Sequence, residues 1–446
     1  MTEAEREFLC LIIGHRVREL RKSRRLSQHE LSNGVGSQSM ISLIESGRQL
    51  PPPDVLDLIA NRLDDALLKR YAEDLENNTL DHFHVSSHNE EDLMSILVNH
   101  RGRWQPAHER IASQLCHHYY YTRSFEQVKK LCHLIIHHVY RHGLLAEAYF
   151  YLGSSLLHEH RFEEAEHWLR KADELRDDLT ESVQGRVAYN LGYAYTYLDV
   201  QVLALWYASR SVEIFHRMND FLNQGSSLGL LGTIQQRLGM LEEAKKSLCT
   251  AYDVLCRWGT IPEDKSRIAT TLAEVCALLG QHDEATSYSQ IAMSTIPAYD
   301  LLCQADIYRI KTYLAIQAGR REEALSYAES GIRAAESAND THNLTQFHLM
   351  YVQLLDDAKE RLQAARKAFE ITSQTSHHIL HALAAECIAH LLEQDGNAVE
   401  DSKEYMQSAL DAYRTYVRKN SMFTNLIDNL PFYDSYFEKT DRQPAI

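Results

Sequence analysis

Residues 37–46 read SQSMISLIES, a run whose residue types change sides at helical spacing. Ile41 and Ile44 fall on one side of such a helix, whereas Gln38, Ser39 and Ser42 fall on another. One face therefore suits a core, and the other is left for hydrogen bonding. A glutamine amide offers two donors and an acceptor, and a serine hydroxyl offers both functions in little volume. Side chains this short can approach base edges in the major groove of double-stranded DNA. There a Gln can take an adenine edge in bidentate fashion, with about 1–3 kcal/mol of discrimination.

The flanking residues predict what positions that helix. Ser37 is its N-cap. Ser27 caps an earlier segment, SQHELS, with Glu30 three residues on as capping-box partner. Gly34-Val35-Gly36 ends the first helix and permits a tight turn into the second. Upstream, Leu11, Ile12, Ile13, Val17 and Leu20 form an apolar stripe. Downstream, Gly47 stops the polar-faced helix, and Pro51-Pro52-Pro53 opens DVLDLIANRL, whose Val55, Leu56, Ile59 and Leu63 close a small core. The expectation is a domain over residues 1–70 with four or five short helices around a helix-turn-helix, whose second helix enters the groove by its N-terminal end.

Charge agrees locally with that expectation and opposes it globally. The 446-residue chain has a formal net charge of -16, yet residues 1–70 hold 11 Lys/Arg against 10 Asp/Glu. Residues 14–25 contain six basic side chains (Arg16, Arg18, Arg21, Lys22, Arg24, Arg25) and one acid, Glu19. This cluster can meet phosphates although the whole protein is acidic. No run of 18 apolar residues occurs, and FLCLIIG at 8–14 is too short to span a bilayer. It also lacks the flanks of a signal peptide, so a cytoplasmic chain with no membrane partner is expected. The eight cysteines form no CxxC pair and are expected to be reduced and mostly buried. Histidines four apart (His133 and His137, His138 and His142, His377 and His381) have no further ligands in a zinc pattern. No phosphate loop, nucleophile elbow or carboxylate pair is seen. Neither a metal, a cofactor nor an enzymatic activity is expected.

Beyond a helical linker at 71–100, with its polar break HFHVSSHNEED, the chain repeats itself. Gly153, Gly192 and Gly232 recur at intervals of 39 and 40, and Ala165, Ala204, Ala244, Ala285 and Ala324 at 39, 40, 41 and 39. A Leu-Gly or Leu-Ala step twelve residues before each Ala lets two antiparallel helices approach closely. Lys311-Thr312 at the matching place shows the later units drifting. This is the tetratricopeptide pattern, with weaker units at 106–140, 342–374 and 377–417. An all-α fold is expected: the helix-turn-helix domain, then a right-handed superhelix of seven to eight helical pairs over 101–420, then a capping segment at 421–446. The concave wall of such a superhelix is lined by the first helix of each pair. That places Arg186, Tyr189, Asn190 and Tyr193 there in one unit, Thr233 and Gln236 in the next, then Arg267, Glu274, Arg309 and Tyr313. Asn amides suit peptide backbones, aromatics give rigid apolar contacts, and an Arg can take a carboxylate in a fork.

The motif LSQ-x-ELS-x-G-x-x-SQS-x-IS-x-IESG resembles the XRE-type, lambda-repressor-like helix-turn-helix. Its turn, one residue shorter, resembles the version in the Rap/NprR/PlcR family of peptide-pheromone-responsive regulators, with NprR as the nearest pattern. The resemblance implies that Gln38, Ser39 and Ser42 lie in the groove, with Ser27, Gln28 and Arg48 near the DNA backbone and with Ile41, Ile44 and Glu45 structural. Gly36 stands where that family often has Cys. The resemblance also implies a homodimeric quorum-sensing transcription regulator whose DNA binding is controlled by a short signalling peptide. In that family the peptide backbone is held by Asn residues; Asn190 in YNLG matches this usage, whereas Tyr151, Leu230, Thr271 and Ile310 stand at the matching place in other units. An alternative implied by the same resemblance is a bifunctional or Rap-like protein whose repeats bind a response regulator of the sporulation phosphorelay. Gln105, Gln114 and Gln127 lie in the region where such relatives carry a functional Gln.

Overall fold

A computed structural model describes residues 2–420 apart from 81–82, 101, 140, 259–261, 376 and 396–398. The expected capping segment at 421–446 lies outside the described residues. All regular structure among the described residues is helical, and the chain divides into two compact units, one ending at Val183 and the other beginning at Gln184.

The first unit begins with α1 (Glu3–Ser23), α2 (Gln28–Ser32), α3 (Gln38–Glu45), α4 (Pro53–Arg62) and α5 (Ala66–Asn77). The cap chemistry is as the residues predict. Ser27 accepts from the Glu30 amide while Glu30 returns a bond to the Ser27 amide, and Ser37 accepts from the Met40 amide. Gly34, at φ 77°, makes the turn that a side chain would strain. Helix α1 comes against α3 at Gly14, where a Cβ would lie 2.2 Å from the Ile44 carbonyl oxygen. Only glycine permits this crossing, because the obstacle is backbone.

The same α1 also packs on α6 (Glu90–Asn99) and α7 (Pro106–Tyr121). Phe8, Leu9, Cys10, Ile12, Ile13 and Val17 are all buried, more than one stripe needs, because the helix has neighbours on two sides. Arg16 binds both oxygens of Asp65, at 3.0 and 2.7 Å, and also Asp92, joining the start of α5 to α6. The Arg110 guanidinium lies 4.4 Å from the centre of the Phe8 ring. Between α5 and α6, Phe83 stacks on Tyr71 with centroids 4.2 Å apart, and Asn89 accepts from the Ser86 amide at 2.8 Å. Helix α6, within the expected linker, therefore packs against α1.

Helical pairs follow. In the first unit α7 pairs with α8 (Phe125–His138), and α9 (His142–His158) with α10 (Phe162–Glu174). Next come α11 (Glu181–Tyr197), α12 (Gln201–Arg217), α13 (Phe221–Arg237), α14 (Leu241–Trp258), α15 (Pro262–Leu278) and α16 (His282–Thr295). The last six are α17 (Leu301–Gln317), α18 (Arg321–Ala338), α19 (Thr341–Leu354), α20 (Ala358–Ser373), α21 (His378–Asp395) and α22 (Val399–Asn420). Within each pair small residues set the crossing. A Cβ on Gly192 would lie 3.1 Å from the Ala208 nitrogen, and one on Gly232 would lie 3.2 Å from the Ala244 carbonyl oxygen. Within the second unit the first helices also touch one another in series, α13 to α15, α15 to α17, α17 to α19 and α19 to α21. That series forms a wall made of first helices. Acids in the first turn, Glu163 and Glu164 of α10 and Glu322 and Glu323 of α18, face the positive end of the helix dipole. Of the cysteines, Cys10, Cys116, Cys132, Cys276 and Cys303 are buried, Cys249 and Cys387 half-buried, and Cys256 exposed.

In the six pairs from α7–α8 to α17–α18, the turn between helices holds one residue at positive φ: Arg123, His160, Asp199, Gly239, Gly280 and Gly319. Arg123 is exposed, so its side chain contributes little packing against the strain of φ 58°. Arg123→Gly is expected to raise stability by roughly 0.5–1 kcal/mol, and Gly239→Ala to lower it by a similar amount. A Cβ at Gly239 meets nothing within 4 Å, so urea unfolding of the two variants reports backbone strain free of steric clash.

Candidate functional site

The polar face of α3 is open to solvent. Gln38, Ser39 and Ser42 are exposed, as are Ser27 at the start of α2 and Arg48 beyond α3. Ile41 and Ile44 are wholly buried on the opposite face. Glu45 is 7% exposed and is the anchor of the motif. Arg21 of α1 grips both its oxygens, at 2.5 and 3.0 Å, and the Gln28 amide of α2 donates to it at 2.8 Å. One carboxylate thus joins three helices. It holds the Arg21 pKa up, the pairing outweighing partial burial. Gln28, expected near a DNA backbone, has its amide nitrogen directed at Glu45.

The basic cluster at 14–25 is divided in two by this packing. Arg16 and Arg21 turn inward to Asp65, Asp92 and Glu45, while Arg18, Lys22, Arg24 and Arg25 are exposed. The expectation that all six could meet phosphates is corrected to four, because two guanidiniums are needed to neutralise buried acids. Lys22 pairs with Glu19 at 3.0 Å on the surface, an interaction water screens strongly.

In the second unit the wall residues form two groups. Toward its start, Tyr189 and Tyr193 of α11 are half-buried, and the Tyr193 hydroxyl donates to that of Tyr197 at 3.3 Å. Burial pushes the Tyr189 hydroxyl up to about 12, with Asp264 adding to the effect and Arg267 opposing it. Burial likewise raises Tyr193, and Arg267 opposes that shift as well. Arg267 of α15 donates to Asp300 at 3.3 Å. Arg186 and Asn190 are half-buried on α11. Thr233 gives its hydroxyl to the Gly229 carbonyl of its own helix at 3.0 Å.

The second group is a charged network. Arg309, 9% exposed, donates to Glu274 at 2.5 Å, to Asn343 at 2.9 Å and to Asp306 at 3.4 Å. Burial alone would push the Glu274 carboxyl up, but the charge and hydrogen bond of Arg309, with a further bond from Gln236, bring it down to about 2. Burial and the charges of Arg309 and Arg237 push His342 down to about 3. Beside this network lies a pocket lined by Glu274, Ala277, Leu278, Arg309, Ile310, Tyr313 and Met350. Glu274 of α15 and the pair Arg309 and Tyr313 of α17 are thus brought together, with Gln236 of α13 reaching the same carboxylate. The guanidinium fork of Arg309 is filled by protein groups, so it shapes the pocket wall and leaves no free fork for a ligand carboxylate.

Sequence reasoning misses Asp306, Asn343 and His342. A signal for Asn343 exists: Asp220-x-x-Asn223 and Asp340-x-x-Asn343 both begin a first helix, and in both the Asp caps the helix and accepts from the Asn amide at 2.6 Å. Nothing in the spacing shows that Asn343 also reaches Arg309.

The network has a pH signature. The Glu274 value in the folded chain, about 2, lies below its ordinary 4.5, so between those values the unfolded chain binds more protons. Its stabilising contribution is complete above about pH 4.5 and is lost as the pH falls toward about 2. Urea unfolding of Glu274→Gln is expected to show a shallower loss of stability across that window than the unaltered protein.

Residues 17–64 match the helix-turn-helix family. No curated protein sequence matches the chain. Among solved structures, the apo form of the quorum sensor NprR from B. thuringiensis aligns with a TM-score of 0.56 at 16% identity, over 81% of this chain and 97% of that one. A Rap protein complexed with competence and sporulation factor aligns at 0.56 and 15% identity, over 83% and 100%. NprR in complex with its cognate peptide NprX aligns at 0.52 and 16% identity, over 74% and 99%. The protein thus carries a domain of the helix-turn-helix family near its N-terminus, followed by helical repeats that share the fold of NprR and Rap.

Proposed function

We propose that the protein is a cytoplasmic transcription regulator whose binding to double-stranded DNA is controlled by a short signalling peptide held against the first helices of its repeats. The observation that carries the DNA half is the solvent-facing arc of Gln38, Ser39 and Ser42 on a helix whose other face is fixed by Ile41, Ile44 and the Glu45 anchor. The N-terminus of α3 and exposed cations of the same domain, Arg24, Arg25 and Arg48 among them, suit phosphates. The peptide half is supported by the wall of Tyr189, Asn190, Tyr193 and Tyr313 and by the fold shared with a peptide-bound NprR. A homodimer presents two recognition helices one turn of DNA apart, about 34 Å, to a palindromic site. Peptide changes DNA affinity only as far as it binds one conformation better than another.

A second reading, implied by the resemblance to Rap proteins, gives the repeats a response-regulator protein as partner. Gln127 of α8 is exposed, Gln105 caps α7, and the Gln114 oxygen is buried with no hydrogen-bond partner among the described residues. Of these, Gln105 and Gln127 are both exposed and accessible to such a partner.

Sequences enriched from a random duplex pool give a probe for both halves. Gln38→Ala is expected to weaken binding to the enriched site about tenfold while leaving the salt dependence unchanged, since Gln38 contacts bases and releases no counterions. Equal affinity for the two proteins removes Gln38 from the interface. Calorimetry with short synthetic peptides on Asn190→Ala and Tyr313→Ala tests the wall. A peptide that binds these variants as it binds the unaltered chain counts against it.

A further inference from the structure

Leu43 is 40% exposed and lies on α3, one helical turn after Ser39. At 100° per residue, Gln38, Ser42, Ser39 and Leu43 occupy one continuous arc, with the cap residue Ser46 between them. Three of these five are serines. Their short side chains let the helix axis come close to whatever the arc meets, and Leu43 projects past them. The helix cannot rotate to hide it, because Ile41 and Ile44 are wholly buried on the opposite side and Glu45 is tied to Arg21 and Gln28.

Charge decides what can cover this leucine. Leu58 on α4 is similarly exposed, at 46%, but Asp54 one turn before it and Asp57 next to it outnumber Arg62 one turn after it, a setting less favourable to phosphates. The turn after α3 instead exposes Arg48, and the turn between α1 and α2 exposes Arg24 and Arg25. A leucine side chain has neither donor nor acceptor, so in the major groove it can recognise only an apolar group. The base edges there offer one, the C5-methyl of a pyrimidine.

We propose that Leu43 is a specificity-determining residue that reads a pyrimidine C5-methyl group, that of thymine in unmodified DNA. The proposal rests on α3 being the recognition helix. It adds a preference that the hydrogen-bonding residues do not supply.

The test uses the full chain and duplexes enriched from a random pool. Each thymine of the enriched site is replaced in turn by deoxyuridine, which lacks only the methyl. The unaltered protein is expected to lose about fourfold in affinity at one thymine per half-site, the effect of one buried methyl-sized group. Leu43→Ala is expected to bind the thymine and deoxyuridine duplexes equally at that position. Replacing that thymine–adenine pair by 5-methylcytosine–guanine is expected to bind the unaltered protein more tightly than unmethylated cytosine–guanine does, which separates the methyl from the rest of the base. Leu43→Gln, unchanged in thermal unfolding because the site is exposed, is expected to enrich a different base there. Equal deoxyuridine losses for the unaltered protein and Leu43→Ala, or identical enriched sites for all variants, overturn the proposal. A pool from which the unaltered protein enriches nothing overturns the recognition-helix reading itself.

Discussion

Close approach of helix backbones is the constraint on which both units depend. In the first unit the Ile44 carbonyl occupies the space a side chain at position 14 would need, so α3 sits directly on α1. In the second unit a Cβ on Gly192 would stand 3.1 Å from the Ala208 nitrogen and 3.4 Å from the Ala204 carbonyl oxygen, a looser approach but again one to backbone. Packing this dense gains dispersion and excludes water, but it tolerates almost no added volume. The exposed arc of α3 and the repeat wall both follow from it, since each consists of the side chains that remain when the opposite face of the helix is used for such a crossing.

A second consequence concerns charge. Once α1 is enclosed, acids near its surface need cations from α1 itself. Arg21 satisfies Glu45, and Arg16 satisfies Asp65 and Asp92. Buried pairs of this kind contribute little net stability relative to apolar packing, but removing one partner costs about 3–5 kcal/mol, because it leaves a charge uncompensated. They therefore fix geometry. The exposed arc of α3 keeps its orientation because Glu45 is held by both Arg21 and Gln28. In the second unit Arg309 has the same role for Glu274 and Asp306, and Asn343 completes its bonding.

The local chemistry of α2 and α3 is legible in their residues alone: both serine caps, the reciprocal Glu30 bond, the turn at Gly34, and the division of α3 into a buried and an exposed face. The small-residue period of about 40 places the early pairs, and helices also stand at 106–121, 125–138, 341–354, 358–373, 378–395 and 399–420, where the signal is weak. The recurrent left-handed turn is legible at Gly239, Gly280 and Gly319 and hidden at Arg123, His160 and Asp199. At those three the tertiary packing of the pair imposes a conformation that the residue itself disfavours. Leu43 gives no signal in the pattern, because an apolar residue in a helix is assigned to the core by default, and its exposure depends on where the neighbouring helices stop.

By itself the sequence determined what depends on residues close together along the chain. That covers the helical class, the caps, the turn that separates two short helices, the repeat spacing, and a polar face suited to nucleic acid. Only the tertiary structure decided which cations turn inward, that α1 serves the cores of both the helix-turn-helix and the helices after it, and that Glu274, Arg309 and Tyr313 meet beside Asn343. Those outcomes depend on contacts between residues far apart in the chain. A buried charge must find a partner wherever packing brings one, and no local pattern records which one that will be.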